Sequence, residues 1–210
     1  IPLIDVYNDA TAINWENLPE SFVLKWNFGA TMNVICPHKS KIDIHSITKK
    51  MEKWGKNKYW LPFSEMQYKY IDKKIVCEEF LETPDGDLPD YKIYCFNGKP
   101  VYILVCFDRT NNSDNVHAKY VYFDTSWNIM PFSEYAINHT EEISFEKPEG
   151  MELALKCAEI LSKPFPFVRA DFYILEGKVY FGELTFTPAG GLDTDLYSGD
   201  CIMGDLLKIN

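Results

Sequence analysis

From Phe167 to Thr187, apolar and polar residues alternate with the period of two that marks a half-buried strand. Arg169, Asp171 and Tyr173 fall on one side of this segment, and Val168, Ala170, Phe172 and Ile174 on the other. Beyond Glu176-Gly177, which reads as a turn, Glu183, Thr185 and Thr187 alternate in the same way with Leu184 and Phe186. The pattern predicts a β-hairpin, and its register decides what the polar face can do. Asp171 and Glu183 share a face only if the loop has an odd number of residues or a bulge intervenes. A simple two-residue turn would set Glu183 opposite Ala170. We expect the odd loop, because Gly177 can supply the positive φ of a bulged turn.

The same reading extends along the chain. An extended opening (residues 1–7), a strand (21–26), a loop containing Gly29 and a short strand (32–36) come first. Asp43 is a good N-cap for a helix reaching about Trp54, with Ile44, Ile47, Met51 and Trp54 as its buried stripe. Residues 59–70 are aromatic-rich and poorly periodic, and a buried strand at 74–81 ends in the turn Thr83-Pro84-Asp85-Gly86. Strands then dominate, at 91–96, 100–107 and 119–123, with Asn97-Gly98 as the strongest hairpin signal. A helix at 150–162 turns Met151, Ala154, Leu155, Ala158 and Leu161 inward, and residues 204–209 suggest a last helical turn. The predicted class is α+β. A small α/β lobe spans residues 1–82 and a larger antiparallel-sheet lobe with helices spans 83–210, the boundary lying near 81–90.

Composition narrows the partners. A chain of 210 residues with 46% hydrophobic and 15% aromatic content can bury a sizeable core. Its formal charge of −10, with no basic stripe or tail, argues against nucleic acid. The longest apolar runs, such as residues 101–107, are far short of a transmembrane segment. The six cysteines stand singly without a CxxC pair, and the four histidines lack ligand spacing. Reduced thiols in a cytoplasmic protein without a signal peptide are the expectation, and the N-x-S/T triplets at Asn111 and Asn138 read as chance matches.

Two carboxylates and a guanidinium on one sheet face repel or desolvate one another unless something binds between them. A divalent metal with phosphate oxygens would satisfy that arrangement. A solvated face of a surface hairpin shows the same alternation, but the ending Pro188-Ala189-Gly190-Gly191 would let backbone approach a ligand just beyond the acidic strand. Lys25, near the end of a buried strand and followed by the loop Asn27-Phe28-Gly29-Ala30-Thr31, can neutralise a phosphate while backbone N–H groups cradle the rest. With a single Gly the loop is a weak motif. Glu78 and Glu79, at the end of the strand leading to Phe80 and Leu81, read equally as solvated acids.

The order of these pieces resembles the ATP-grasp sequence of elements: a strand with Lys and a Gly loop, Val-x-Glu-Glu-Phe-Leu, Arg-x-Asp, Glu-x-Thr, then Pro and Gly. The phrases LPESFVLKWNFG, LPDYKIYCFNGKPVYILVCFDR, FDTSWNIMPF, LSKPFPFVRADFY and GKVYFGELTFTPAGG are similar to one branch, the TupA-like ATP-grasp proteins of teichuronopeptide and other surface-polysaccharide biosynthesis. The resemblance implies an ATP-grasp fold with the nucleotide site between the two lobes. It implies that Lys25 contacts the phosphates, the loop around Gly29 closes over them, and Glu79 to Leu81 offer backbone hydrogen bonds to adenine with Glu78 or Glu79 near its amino group. Asp90 would hold the ribose. Asp171 and Glu183, with Thr185 where many relatives have Asn, would bind Mg²⁺. Arg169 would stabilise transferred phosphoryl or a tetrahedral intermediate, and Lys92 and Arg109 are further candidates for phosphate or substrate. The family has a region before the point matching Ile1, with a further phosphate-contacting lysine, and a chain starting at Ile1 is expected to be without it.

The implied reaction is ATP-dependent amide formation through an acylphosphate, joining an amino acid to a uronic acid or an acidic peptide. Two rivals stand beside it. Asp193-Thr194-Asp195 has the DxD pattern of a glycosyltransferase, as does Asp85-Gly86-Asp87, although no buried strand precedes the first. A non-catalytic ATP-binding module is the other.

Overall fold

A computed structural model describes all residues except Phe63, Pro84, Asp85, Ser113, Asp114, Thr194, Asp195, Tyr197, Ile209 and Asn210, and not the side chains of residues 109–112, 115–117 and 198. The side chain of Arg109, the Asn111 triplet, Thr194 and Asp195 of one DxD triplet, Asp85 of the other and the turn at Pro84-Asp85 therefore lie outside the described residues, as does the end of the expected last turn at Ile209. The chain divides into two compact units, Ile1–Leu81 and Glu82–Asn210.

In the first unit, β1 (Leu3–Tyr7), β2 (Phe22–Trp26), β3 (Asn33–Cys36) and β4 (Ile75–Glu79) form an antiparallel sheet in the order β1-β4-β2-β3. Alternation along β2 sends Phe22, Leu24 and Trp26 into a core with Cys36, Ile75 and Cys77, leaving Val23 and Lys25 on the other face. Helix α1 (Ile44–Gly55) covers the core face, started by the Asp43 carboxylate accepting from the Ser46 amide at 3.2 Å. Met51 is fully buried, and Ile47 and Trp54 pack beside it. Ile44, expected in that stripe, is exposed instead: it occupies the first helical position, before the helix has turned its face to the sheet.

In the second unit, β5 (Asp90–Phe96), β6 (Lys99–Asn112), β7 (Asn115–Asp124), β8 (Ile129–Met130), β9 (Phe167–Leu175) and β10 (Lys178–Thr185) form an antiparallel sheet in the order β10-β9-β5-β6-β7-β8. Two further helices precede β9: a short α2 (Glu134–Asn138) capped by Ser133, and α3 (Met151–Ser162). Helix α3 packs Met151, Ala154 and Ala158 onto the sheet face made by Ile93, Ile103, Val105, Val168, Ala170 and Phe172. Leu155 and Leu161, expected fully inside, are only partly buried at its flanks. The Asn97-Gly98 turn closes β5 and β6 with φ of 51° and 77°, the mirror-image two-residue turn its sequence demands.

The opposite face of this sheet is divided. At one end Tyr94, Phe96, Leu104 and Tyr122 lie under Phe132, Leu196 and Met203, the last from α4 (Ser198–Leu206). At the other end the face carries charge. Four of the six cysteines are buried and all six are free thiols. Among the described residues no helix is long and apolar enough to cross a membrane.

Candidate phosphate and metal site

The charged end is built by register. Lys92 on β5 pairs with Asp171 on β9, which pairs with Glu183 on β10, so the three stand in one row on one face. The next row is Tyr94, Arg169 and Thr185. Asp90 lies on the far side of Lys92, across from Tyr173.

Glu183 reaches this row by a route other than the odd loop expected from the sequence. The turn is a two-residue one, with Glu176 at φ 51° and Gly177 at 76°, and Lys178 pairs with Leu175. The register instead shifts by one between Phe181 and Glu183, so Gly182 is the extra residue of a β-bulge inside the strand. A Cβ at position 182 would stand 3.1 Å from the Asp171 carbonyl oxygen, which explains the glycine. A glycine isolated within an alternating strand was the available signal for this bulge.

Asp171 is the hub. Arg169 donates to both of its carboxylate oxygens, from Nε to Oδ1 at 2.8 Å and from Nη2 to Oδ2 at 2.7 Å, and Lys92 Nζ donates to Oδ2 at 2.7 Å. Lys92 also pairs with Asp90 Oδ2 at 2.6 Å. Burial pushes the Asp171 carboxyl up, but the two neighbouring cations outweigh it and hold it below the usual range. Lys92 shows the converse: burial favours the neutral amine, yet Asp90 and Asp171 keep it charged.

Glu183 differs from its partner. Its side chain is 57% exposed, and Arg169 Nη2 stands 3.9 Å away, beyond hydrogen-bond reach. The Thr185 hydroxyl donates to Glu183 Oε1 at 3.2 Å and accepts from Arg169 Nη2 at 3.0 Å, tying both residues to a buried post. Crowding by the sheet, and then the Asp171 charge, raise the Glu183 carboxyl. The two cationic and three anionic side chains of this patch leave one excess negative charge. Asp171 Oδ1, with one hydrogen bond, keeps a lone pair, and Glu183 projects outward. These donors fit a hard divalent cation whose remaining ligands are water or phosphate oxygens. Among the described residues no set of three acidic, His or Cys ligands converges on one point, so the protein supplies only part of such a shell.

The first unit has its own charged pair. Lys25 Nζ meets Glu78 Oε2 at 2.7 Å on the sheet face away from the core. Glu79 is exposed and its amide donates to the Pro2 carbonyl at 3.1 Å, and Phe80 and Leu81 follow past the end of β4. The loop after β2 is clipped at its base: the Asn27 side chain accepts from the Lys74 amide at 2.9 Å and donates to the Asp72 carbonyl at 3.0 Å. Gly29 lies flat on the Tyr59 ring, where a Cβ would come within 2.4 Å of the ring. Tyr59 in turn packs edge-on against Tyr68, with centroids 5.5 Å apart. Sequence reading missed Tyr59, because the aromatic segment around it has no period to assign.

Comparison with known proteins agrees with this architecture. The crystal structure of D-alanine–D-alanine ligase from Bacillus anthracis complexed with ATP is similar over 92% of this chain and 50% of its own, at 15% identity and TM-score 0.50. The structure of the ATP-grasp ligase PsnB complexed with minimal precursor is similar over 98% of this chain and 53% of its own, at 11% identity and TM-score 0.46. The chain thus spans about half the length of these solved structures. Curated protein sequences gave no match. The fold is ATP-grasp. The family model described as TupA-like ATPgrasp matches residues 1–208, and the chain belongs to that family.

Proposed function

We propose that this chain is the core of an ATP-dependent carboxylate–amine ligase. The observation that carries this reading is the single row of Lys92, Asp171 and Glu183 beside Arg169, in a chain of the ATP-grasp family. A carboxylate oxygen attacks the γ-phosphorus of ATP and the bond to the ADP oxygen breaks, giving an acylphosphate. An amine nitrogen then attacks the acyl carbon, and phosphate leaves as the C–N bond forms. Asp171 and Glu183 hold Mg²⁺, which supplies charge neutralisation at the phosphates, with Thr185 orienting Glu183. Arg169, whose Nη1 takes no part in the bonds to Asp171, would stabilise developing phosphoryl charge. Lys25 and the Gly29 loop receive phosphates, Phe80 and Leu81 the base, and Glu78 balances Lys25. Lys92 and Asp90 hold the acidic row in place. The reaction then relies on positioning and electrostatics rather than general-base chemistry. On this reading the product is an amide of a uronic acid or acidic peptide in cell-surface polysaccharide assembly, made in the cytoplasm.

Calorimetry with MgATP and with UDP-sugars tests it. MgATP is expected to bind and UDP-sugars not to. ADP release on adding uronate and amino acid then separates a ligase from an ATP-binding module.

A further inference from the structure

The loop that joins β2 to β3 in the first unit is fastened at both feet and exposed at its tip. Phe28 and Met32 are buried, at 1% and 4% exposure, whereas Ala30 and Thr31 between them face solvent. The Trp26 amide donates to the Met32 carbonyl across the base at 3.1 Å. Trp26 also ties the loop to α1. Its indole Nε1 donates to the Met51 carbonyl at 3.0 Å, and a Cβ on Gly55 would stand 2.8 Å from its ring. Lys73, just before β4, locks this joint. Its ammonium donates to the carbonyls of Gly55 at 2.8 Å and Asn57 at 2.9 Å, at the C-terminal end of α1. The same ammonium stands 4.0 Å from the centre of the Phe28 ring. The Asn57 side chain completes the circuit, donating to Met32 Sδ at 3.8 Å. Burial pushes the Lys73 ammonium below the usual lysine value, and among the described residues no carboxylate offsets it.

We propose that Lys73 is a positioning residue, holding the loop from Asn27 to Met32 in its phosphate-receiving form before any nucleotide arrives. That the loop receives phosphate rests on the ligase reading; what holds the loop does not. A lysine that only capped α1 would need the two carbonyls alone. Here the ammonium also rests on the ring of the residue next to Gly29, so the helix end and the loop move as one. The consequence is visible at Thr31, whose φ of 63° is a left-handed value that a β-branched residue adopts only under constraint. Such a torsion persists where surrounding contacts over-determine it, and the two fastened feet supply those contacts. A loop that must order itself on binding loses affinity to that ordering, whereas this one is ordered when the unit folds. Closure over a phosphate is then confined to Ala30 and Thr31.

Lys73→Met keeps much of the side chain's length and removes the ammonium, while Lys73→Arg restores a cation. Calorimetry on the full chain would compare MgATP with adenosine, which carries no phosphate. Hydrogen exchange would follow the amides of residues 28–32 against those of Leu24 and Cys77, which report the stability of the unit as a whole. Lys73→Met should weaken MgATP about tenfold or more and leave adenosine within about twofold. Exchange at residues 28–32 should quicken about tenfold, with Leu24 and Cys77 unmoved. Lys73→Arg should recover most of both effects. Phe28→Leu leaves both carbonyl bonds in place and should shift MgATP in the same direction by less; it carries the test if Lys73→Met does not fold. Unchanged MgATP affinity in Lys73→Met, an equal loss for adenosine, or unchanged exchange at residues 28–32 overturns the inference. Absence of MgATP binding by the unaltered chain would instead reject the ligase reading, and faster exchange in Lys73→Met would then uphold the clasp by itself.

Discussion

Replacing Asp171 and Glu183 one at a time should give equal losses of function and very unequal losses of stability. The Asp171 side chain is 4% exposed and takes three charge-assisted hydrogen bonds, from Arg169 twice and Lys92 once. Asp171→Asn keeps the shape but removes the charge, leaving the Arg169 guanidinium buried without its principal counter-ion. Breaking one partner out of such a buried set costs about 3–5 kcal/mol, a large part of the roughly 5–15 kcal/mol that holds a domain together. Glu183 is more than half exposed and accepts one long hydrogen bond, so Glu183→Gln should cost below about 1 kcal/mol. Urea unfolding at neutral pH, followed by far-UV circular dichroism, measures both values. Mg²⁺-dependent ADP release should fall by about 10²–10³ or more in each variant. Comparable stabilities for the two variants would refute the buried hub, and near-normal turnover in both would refute the metal assignment.

Other outcomes follow from single features. Deleting Gly182 removes only the unpaired bulge residue, so Glu183 should stay opposite Asp171 and ADP release should persist; a folded but inactive deletion would show that the bulge itself shapes the site. Gly29→Ala drives a methyl into the Tyr59 ring and should weaken MgATP binding, with Tyr59→Ala restoring part of it in a double-mutant cycle by calorimetry. The folded-state carboxyl of Asp171 is lowered, so its stabilisation is complete above the usual aspartate value of about 3.8 and is lost as pH falls through its folded value. Asp171→Asn should therefore flatten the acid limb of a stability–pH profile; an unchanged limb would count against the pairing.

Much of this site was legible before any coordinates. Period-two alternation sufficed to put Arg169 and Asp171 on one face and Glu183 and Thr185 on another, because side-chain direction in a strand depends only on local geometry. Joining the two faces needed the register, and that was set by an unpaired glycine in mid-strand rather than by the turn. Lys92 was a minor candidate on sequence grounds, yet it pairs with both Asp90 and Asp171, since cross-strand neighbours seventy-nine residues apart leave no local trace. Helix α2, five residues long, is too short to show a period. Tyr59 acts on Gly29 purely by long-range packing. Where function depended on one strand the sequence was readable, and where it depended on pairing between distant segments it was not.

Immediately after β10 the backbone takes left-handed values at three successive residues, Ala189, Gly190 and Gly191, with φ of 49°, 63° and 74°. For Ala189 that geometry carries a steric penalty of roughly 1 kcal/mol or more. Beyond this kink, Met203 and Leu206 of α4 pack with Tyr94 and Phe96 of the sheet. A protein that kept every side chain of the sheet but straightened this corner would retain its acidic row and lose the apolar recess lined by Tyr94, Phe96, Phe167 and Met203. That shape thus turns on a corner in which two glycines bend freely and Ala189 alone is held against local preference.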